Sequence, residues 1–273
     1  ESGGLVELKA TSDLRLRLPA SQAVTVEKDG GDVQVAGLSD RVIIGKVAGD
    51  LVLLNLAGAS VEMIGGDMSM QNTSGAVEVA RVGGDLIGSD VETVFSRAVG
   101  GDIFLQGVKG SLNLVAGGDV EVELVTPDTQ QVTITSGADV QLKVPVDFHA
   151  QLALNSGGRS IHIDACGQHG DWDQEEIAIP FGDGGNPVSV SAGGDISVSD
   201  HEEDSDEFSR RFKSSFDNWS SFGLDLEKQI QDSVAAATEN IKWVSMGALG
   251  ASEKARMKVE KAMRKLDDKG IRI

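Results

Sequence analysis

The chain has 273 residues, a formal net charge of −19 and 40% hydrophobic residues, so it is long and apolar enough to bury a sizeable core. Residues 1–200 hold 11 Lys and Arg against 29 Asp and Glu, and this acidic excess argues against nucleic-acid binding because phosphates would be repelled. The single cysteine, Cys166, excludes an internal disulfide framework, and the lack of a long apolar stretch excludes a transmembrane helix.

A repeated corner, in which two small residues precede an aspartate, runs through the first 200 residues. The steps between its first six aspartates are 18, 17, 18, 17 and 17 residues. These copies are Gly30-Gly31-Asp32, Ala48-Gly49-Asp50, Gly65-Gly66-Asp67, Gly83-Gly84-Asp85, Gly100-Gly101-Asp102 and Gly117-Gly118-Asp119. Less regular copies follow at Gly137-Ala138-Asp139, at Gly157-Gly158 with Arg159 in place of the aspartate, and at Gly193-Gly194-Asp195.

Each aspartate is followed by three residues of which the first and third are apolar, such as Val33 and Val35. A similar triplet, such as Val24 to Val26, lies roughly nine residues earlier. A period of two predicts strands with one buried face. The sequence therefore predicts a mainly β domain over residues 1–200, a β-solenoid-like stack of roughly 18-residue two-strand repeats. A β-sandwich of short strands is the alternative, although it gives less reason for so strict a period.

The corner residues are predicted to be structural. The glycines would supply a positive φ where a Cβ would clash with the coil above. Each aspartate would accept a backbone N–H and close its own turn, or the column would bind calcium, for which one carboxylate per coil offers few oxygens. The residues assigned to this turn are Gly31, Asp32, Gly66, Asp67, Gly84, Asp85, Gly101, Asp102, Gly118 and Asp119.

These units, together with the segment NTSGAVEVARVGGDL at residues 72–86, resemble the bacterial DUF4097 group of adhesin-like β-repeat domains, also called toastrack domains. The resemblance covers residues 5–200. It implies a β-repeat fold without known catalysis, and relatives that occur in envelope-stress systems and beside membrane or helical modules. The tail after residue 200 departs from this pattern.

The composition changes at residue 200. An acidic linker is predicted at 201–207, followed by a helical tail at 208–273 that is broken near Gly247 and Gly250. Aromatic and apolar residues at helical spacing form one face, and they are the candidate interface residues: Phe208, Phe212, Phe216, Trp219, Phe222 and Leu226.

Three roles are open for the aromatic face. It caps the open end of the solenoid, or it pairs with another copy or another protein, or it lies on a membrane surface. Asp217, Asp225 and Glu227 argue against the membrane. The basic residues 251–273 form either a solvated helix or an arm that docks on the acidic repeat domain.

One strand gathers potential metal ligands. His162, Asp164 and Cys166 share one parity and are predicted to face outward together, with His169 close behind. No second Cys/His cluster completes a tetrahedral site, so a polar outer face is the competing interpretation. Residues 166–187 break the repeat, and they are predicted to form either a binding surface or a disordered loop.

The sequence therefore predicts a non-catalytic scaffold, with no cofactor, that self-associates or binds a protein partner through its helical tail, in envelope stress or surface assembly. A carbohydrate-binding adhesin is the alternative, and an enzyme acting on polysaccharide is the third hypothesis. No leader is visible, which favours the cytoplasm over the cell envelope; a leader removed before Glu1 is the alternative. The ending DDKGIRI resembles the start of a strand, so the native chain is expected to continue beyond Ile273.

Overall fold

The fold is described from a computed structural model, which defines residues 6–9, 14–17, 24–127, 131–157 and 159–200. The chain divides into two compact units, Glu1–Phe216 and Asp217–Ile273. The linker predicted at 201–207 and the tail predicted at 208–273 lie outside the described residues. Among the residues described, no helix has the length and apolar character needed to cross a bilayer.

The described residues are built from short β-strands. In chain order these are β1 (Val6–Lys9), β2 (Leu14–Arg17), β3 (Val24–Asp29), β4 (Val33–Ala36), β5 (Val42–Val47), β6 (Leu51–Leu56), β7 (Ala59–Ile64), β8 (Met68–Val79), β9 (Leu86–Ser96), β10 (Ile103–Val108), β11 (Leu112–Ala116), β12 (Val120–Leu124), β13 (Val132–Ser136), β14 (Val140–Lys143), β15 (Ala150–Asn155), β16 (Ile161–Ala165), β17 (Gln168–Trp172), β18 (Glu176–Phe181), β19 (Asn186–Ala192) and β20 (Ile196–Ser199).

The strands stack into two ladders, and one coil of the chain contributes a strand to each. Ladder 1 runs β2, β4, β6, β8, β9, β10, β12, β14, β20, β16, β17. Ladder 2 runs β1, β3, β5, β7, β8, β9, β11, β13, β19, β15, β18. The long strands β8 and β9 continue from one ladder into the other.

The core lies between the two ladders. The apolar residues predicted to face inward are buried, for example Val33 and Val35 in β4 and Ile103 and Leu105 in β10. Neighbouring coils pair in parallel, which is the geometry of a solenoid, whereas a sandwich of short strands is antiparallel. The β-solenoid prediction is confirmed, and the β-sandwich alternative is wrong.

The last coils do not stack in chain order. The coil of β19 and β20 lies between that of β13 and β14 and that of β15 and β16. Consequently the backbone N–H of Asp195 donates to Asp139, 56 residues earlier in the chain. The repeat does continue through its irregular stretch, as the sequence predicts, but with this change of order.

The stretch 166–187 closes this end of the ladders. In it β17 pairs with β16 and β18 pairs with β15, both antiparallel. Phe181 at the end of β18 is fully buried in the core, while the rest of both strands is exposed or half-buried. Pro180 removes one backbone N–H from β18, which limits further pairing at this edge. The stretch is an ordered cap, so the prediction of a disordered loop is wrong.

The corner aspartates bond from coil to coil. From Asp50 onward, the N–H of each aspartate donates to Oδ1 of the aspartate in the preceding coil of the stack, at 2.7–3.0 Å. The prediction that each aspartate accepts a backbone N–H is confirmed, but the bond does not close its own turn, because the next coil presents its N–H directly above the carboxylate. We call this column the Asp ladder; its members are Asp32, Asp50, Asp67, Asp85, Asp102, Asp119, Asp139 and Asp195.

Ser160, and not Arg159, occupies the aspartate position in the β16 coil. Its N–H and its hydroxyl both donate to Asp195 Oδ1, each at 3.0 Å. The next strand, β17, is antiparallel, so no following coil of the same kind presents an N–H to this position. A carboxylate is therefore not required at residue 160, which explains the loss of the aspartate there.

The corner glycines are required by space and not by φ. A Cβ at Gly84 would lie 1.9 Å from Asp67 Oδ1, and a Cβ at Gly101 would lie 2.0 Å from Asp85 Oδ1. None of the described glycines of these Gly-Gly-Asp corners has a positive φ, so that part of the prediction is wrong, while the predicted clash of a Cβ with a stacked coil is confirmed. The preceding coil fills the place of the missing side chain.

A second column of corner residues, which the Gly-Gly-Asp repeat does not reveal, does have a positive φ. It lies five residues after each of the first five aspartates of the Asp ladder, at Gly37, Asn55, Asn72, Asp90 and Gly107. Glycine, asparagine and aspartate tolerate this left-handed conformation best. Asn72 Nδ2 also donates to Asn55 Oδ1 at 3.0 Å, so this corner is bonded between coils as well.

Candidate functional site

A groove of about 730 Å³ lies on the outer face of ladder 2. Side chains at alternate positions of its strands point away from the core, and they include Ile43 on β5 and Phe95 on β9. Ile43 is 53% exposed and Phe95 is 36% exposed, in a described region that otherwise buries most large apolar side chains. We call this surface the ladder 2 groove.

Charged residues surround these apolar side chains. Glu62 and Glu78 line the groove, as does Arg97. Glu78 pairs with Arg41 at 2.8 Å and Glu62 pairs with Lys46 at 3.3 Å. All four charged side chains of these pairs are about half exposed, so each pair adds at most about 1 kcal/mol to stability, and a ligand can exchange with either partner. The groove is thus a mixed apolar and charged surface.

The Asp ladder forms a row of carboxylates along one corner. Burial raises the pKa of Asp50, the N–H of Asp67 opposes this shift, and the charges of Asp67 and Asp32 add to it. At the end of the row, hydrogen bonds from the Ser160 N–H and hydroxyl hold the pKa of Asp195 below its usual value. The carboxylates therefore connect coils, and this role accounts for the aspartates that the sequence assigns to the turn.

Of the four proposed metal ligands, the structure brings Asp164 and His169 together and places Cys166 apart from them. His162 Nδ1 lies 2.5 Å from Asp171 Oδ1, and His169 contacts Asp164; in each pair one residue is on β16 and the other is opposite it on β17. Cys166 adopts a φ of 53°, which breaks the strand alternation, and its side chain packs against the core. The prediction that Cys166 faces outward with His162 and Asp164 is therefore wrong. Within the described ranges, no group of three or more metal-ligating side chains is found.

Cys166 is expected to be a slow nucleophile. Burial raises the pKa of its thiol, the Phe148 backbone opposes this shift, and Asp200 and Asp147 add to it; the thiol also donates to the Pro145 carbonyl at 3.6 Å. We expect it to react with iodoacetamide at pH 8 about tenfold more slowly than an exposed thiol.

The control is a Val146→Cys, Cys166→Ser variant, because Val146 is 72% exposed. Both rates are followed by mass spectrometry. Equal rates in the folded proteins contradict the expectation, and the two thiols should become equally reactive in denaturant.

The interface residues predicted in the tail, Phe208 to Leu226, lie outside the described residues. No family model matches the chain, and no curated protein or solved structure matches it. Its function has to be inferred from its own residues, and the ladder 2 groove offers two exposed apolar side chains together with charge.

Proposed function

We propose that this protein is a non-catalytic β-solenoid scaffold that binds an extended segment of a partner protein in the ladder 2 groove. The observation that carries the proposal is the exposure of Ile43 and Phe95 on an otherwise regular ladder. Exposed aromatic and aliphatic side chains within a concave surface are typical anchors of protein interfaces. Membership of the toastrack group, which the repeat motif implies, is part of this proposal.

The charge of the domain favours a basic and apolar segment. Residues 1–200 carry 29 acidic against 11 basic side chains, and Glu62 and Glu78 line the groove itself. Lys or Arg side chains of a partner would compete with Arg41 and Lys46 for these two half-exposed carboxylates, while its apolar side chains would cover Ile43 and Phe95. Growth of the ladders through the β17 and β18 end is disfavoured by the cap, which favours a lateral partner over stacking at that end.

The test is selection of peptides from a display library on the full chain, followed by fluorescence polarisation with the selected peptide. We expect enrichment of apolar residues next to Lys or Arg. Phe95→Glu should weaken binding about tenfold or more, since a central aromatic anchor is lost.

Val146→Glu is the matched control, because Val146 is 72% exposed and does not line the groove. Equal loss with both variants, or no enrichment, would count against the groove. Binding on a glycan array that depends on Phe95 would instead favour the adhesin hypothesis.

A further inference from the structure

Part of the outer face of ladder 1, from β6 to β10, is buried, in contrast to that of ladder 2. Ile87 on β9 and Phe104 on β10 point away from the core and form a separate apolar cluster. They are 6% and 5% exposed, whereas the outward residues Ile43 and Phe95 of ladder 2 are 53% and 36% exposed. Strand spacing and side-chain type are alike on the two faces, so the difference requires a cover over ladder 1.

The burial extends beyond these two side chains. Val52 and Leu54 on β6, and Ser69 on β8, are 1%, 3% and 2% exposed, and Ser89 on β9 is 8% exposed. Among the described residues, every extensive strand–strand contact joins neighbours within a ladder, and no strand stacks on this outer face. The cover therefore comes from elsewhere.

We propose that residues 208–216 of the same chain cover the outer face of ladder 1, with Phe208, Phe212 and Phe216 packed over Ile87 and Phe104. This segment directly follows the linker predicted at 201–207. Its three phenylalanines recur every four residues, so in the helix that this spacing predicts they share one face.

The chain between the last strand and this segment is long enough to reach from β20 to β10. β20 ends at Ser199 and is separated from β10 by two strands, β14 and β12, so β10 is about 14 Å away at the usual strand spacing. Residues 201–207 can span up to about 24 Å. Phe208 to Phe216 in a helix covers about 12 Å, which corresponds to two to three strands. A helix laid across the strands from β10 would therefore reach β9 and β8.

Charge agrees with this placement. The segment contains Arg210, Arg211 and Lys213 and no acidic residue. Glu121 and Glu123 occupy the outward positions of β12, directly beside β10; Glu121 pairs with Lys143 at 3.5 Å, so the basic residues of the segment would meet Glu123 or share Glu121 with Lys143. The apolar face of the segment thus meets an apolar patch, and its basic residues lie next to a carboxylate-bearing strand. The cover leaves the ladder 2 groove as the exposed outer face of the solenoid, so this inference does not depend on the function of that groove.

Thiol accessibility in the full chain tests the proposal. In a Cys166→Ser background, Ser89→Cys probes the outer face of ladder 1, and Ser60→Cys is the matched control on the outer face of ladder 2. Both changes are nearly isosteric, so they should preserve folding. We expect the Ser89→Cys thiol to react about tenfold or more slowly than the Ser60→Cys thiol.

Replacing Phe208, Phe212 and Phe216 with Asp should then raise the Ser89→Cys rate to that of the control and leave the Ser60→Cys rate unchanged. A Ser89→Cys rate that is unaffected by the triple replacement overturns the proposal, whichever rate it has initially.

Disulfide trapping identifies the chain that supplies the cover. Oxidation of an Ile87→Cys, Phe212→Cys variant in the Cys166→Ser background should yield a cross-link within the monomer. The corresponding Ile43→Cys, Phe212→Cys variant should yield none. A cross-linked dimer would show that a second copy supplies the cover and would overturn the proposal, as would equal trapping in both variants.

Discussion

Gly84→Ala is expected to lower the free energy of unfolding by about 2–4 kcal/mol, because the added Cβ forces two coils apart and weakens a charge-assisted hydrogen bond. The Cβ would lie 1.9 Å from Asp67 Oδ1, the atom that accepts the N–H of Asp85 at 2.9 Å. The position lies in the middle of the Asp ladder, where coils on both sides hold the backbone in place. Chemical denaturation monitored by circular dichroism measures the change.

A second substitution separates this cause from a general intolerance of the corner. Asp67→Ala removes the carboxylate, so Gly84→Ala should cost about 1 kcal/mol or less in that background. Gly37→Asn is the control for the other corner, since asparagine already occupies equivalent positions at Asn55 and Asn72. If the costs of Asp67→Ala and Gly84→Ala simply add, the clash is not the reason for the glycine.

Phe181→Ala is expected to destabilise the capped end by about 3–5 kcal/mol, the usual cost of removing a fully buried phenylalanine. Phe181 is 0% exposed and is the buried residue that joins β18 to the core, so its loss should release the cap. Release would expose the edges of β15 and β16, and unpaired strand edges promote association. We therefore expect both a lower unfolding midpoint and a larger mass by light scattering.

Ile179→Ala is the matched control on the same strand, because Ile179 is only partly buried against the core. It should cost clearly less and leave the protein monodisperse. A Phe181→Ala variant that unfolds as the parent does, without association, would show that β17 and β18 are not needed to close the ladders.

The sequence predicts the strands well but not their neighbours. The apolar pairs, such as Val33 with Val35, follow from a period of two, and the stack follows from the regular spacing of the aspartates. Because the corners are similar, the sequence does not distinguish which coils stack on each other. The position of the β19–β20 coil, between the β13–β14 and β15–β16 coils, therefore cannot be predicted from the period alone.

Ser160, which replaces the aspartate in the β16 coil, indicates which coil occupies the last parallel position. The coil with Asp195 can donate its N–H to Asp139 and accept from Ser160, whereas the Ser160 coil lacks the carboxylate that would bind a further coil. A coil without the aspartate is therefore suited to the last parallel position, whatever its place in the chain. Aligning Ser160, instead of Arg159, with the aspartates would have revealed this.

The site was harder to predict than the fold. The parity of a strand identifies outward residues, but Ile43 and Ile87 have the same parity and type and opposite exposure. What differs is the packing above each ladder, and a strand pattern contains no information about that. Cys166 was misplaced for a related reason, since one residue with a positive φ reverses the alternation.

The inserted coil also has a consequence for synthesis. While the ribosome is still translating β19 and β20, the coil of β15 and β16 can dock on β13 and β14, with the Ser160 N–H bound to the Asp139 carboxylate that Asp195 later occupies. The nascent chain would then hold a non-native stacking order, which has to open before the native one can form. Folding of the complete chain should thus include a slow displacement step, and a chain that stops before β19 should be trapped one coil short.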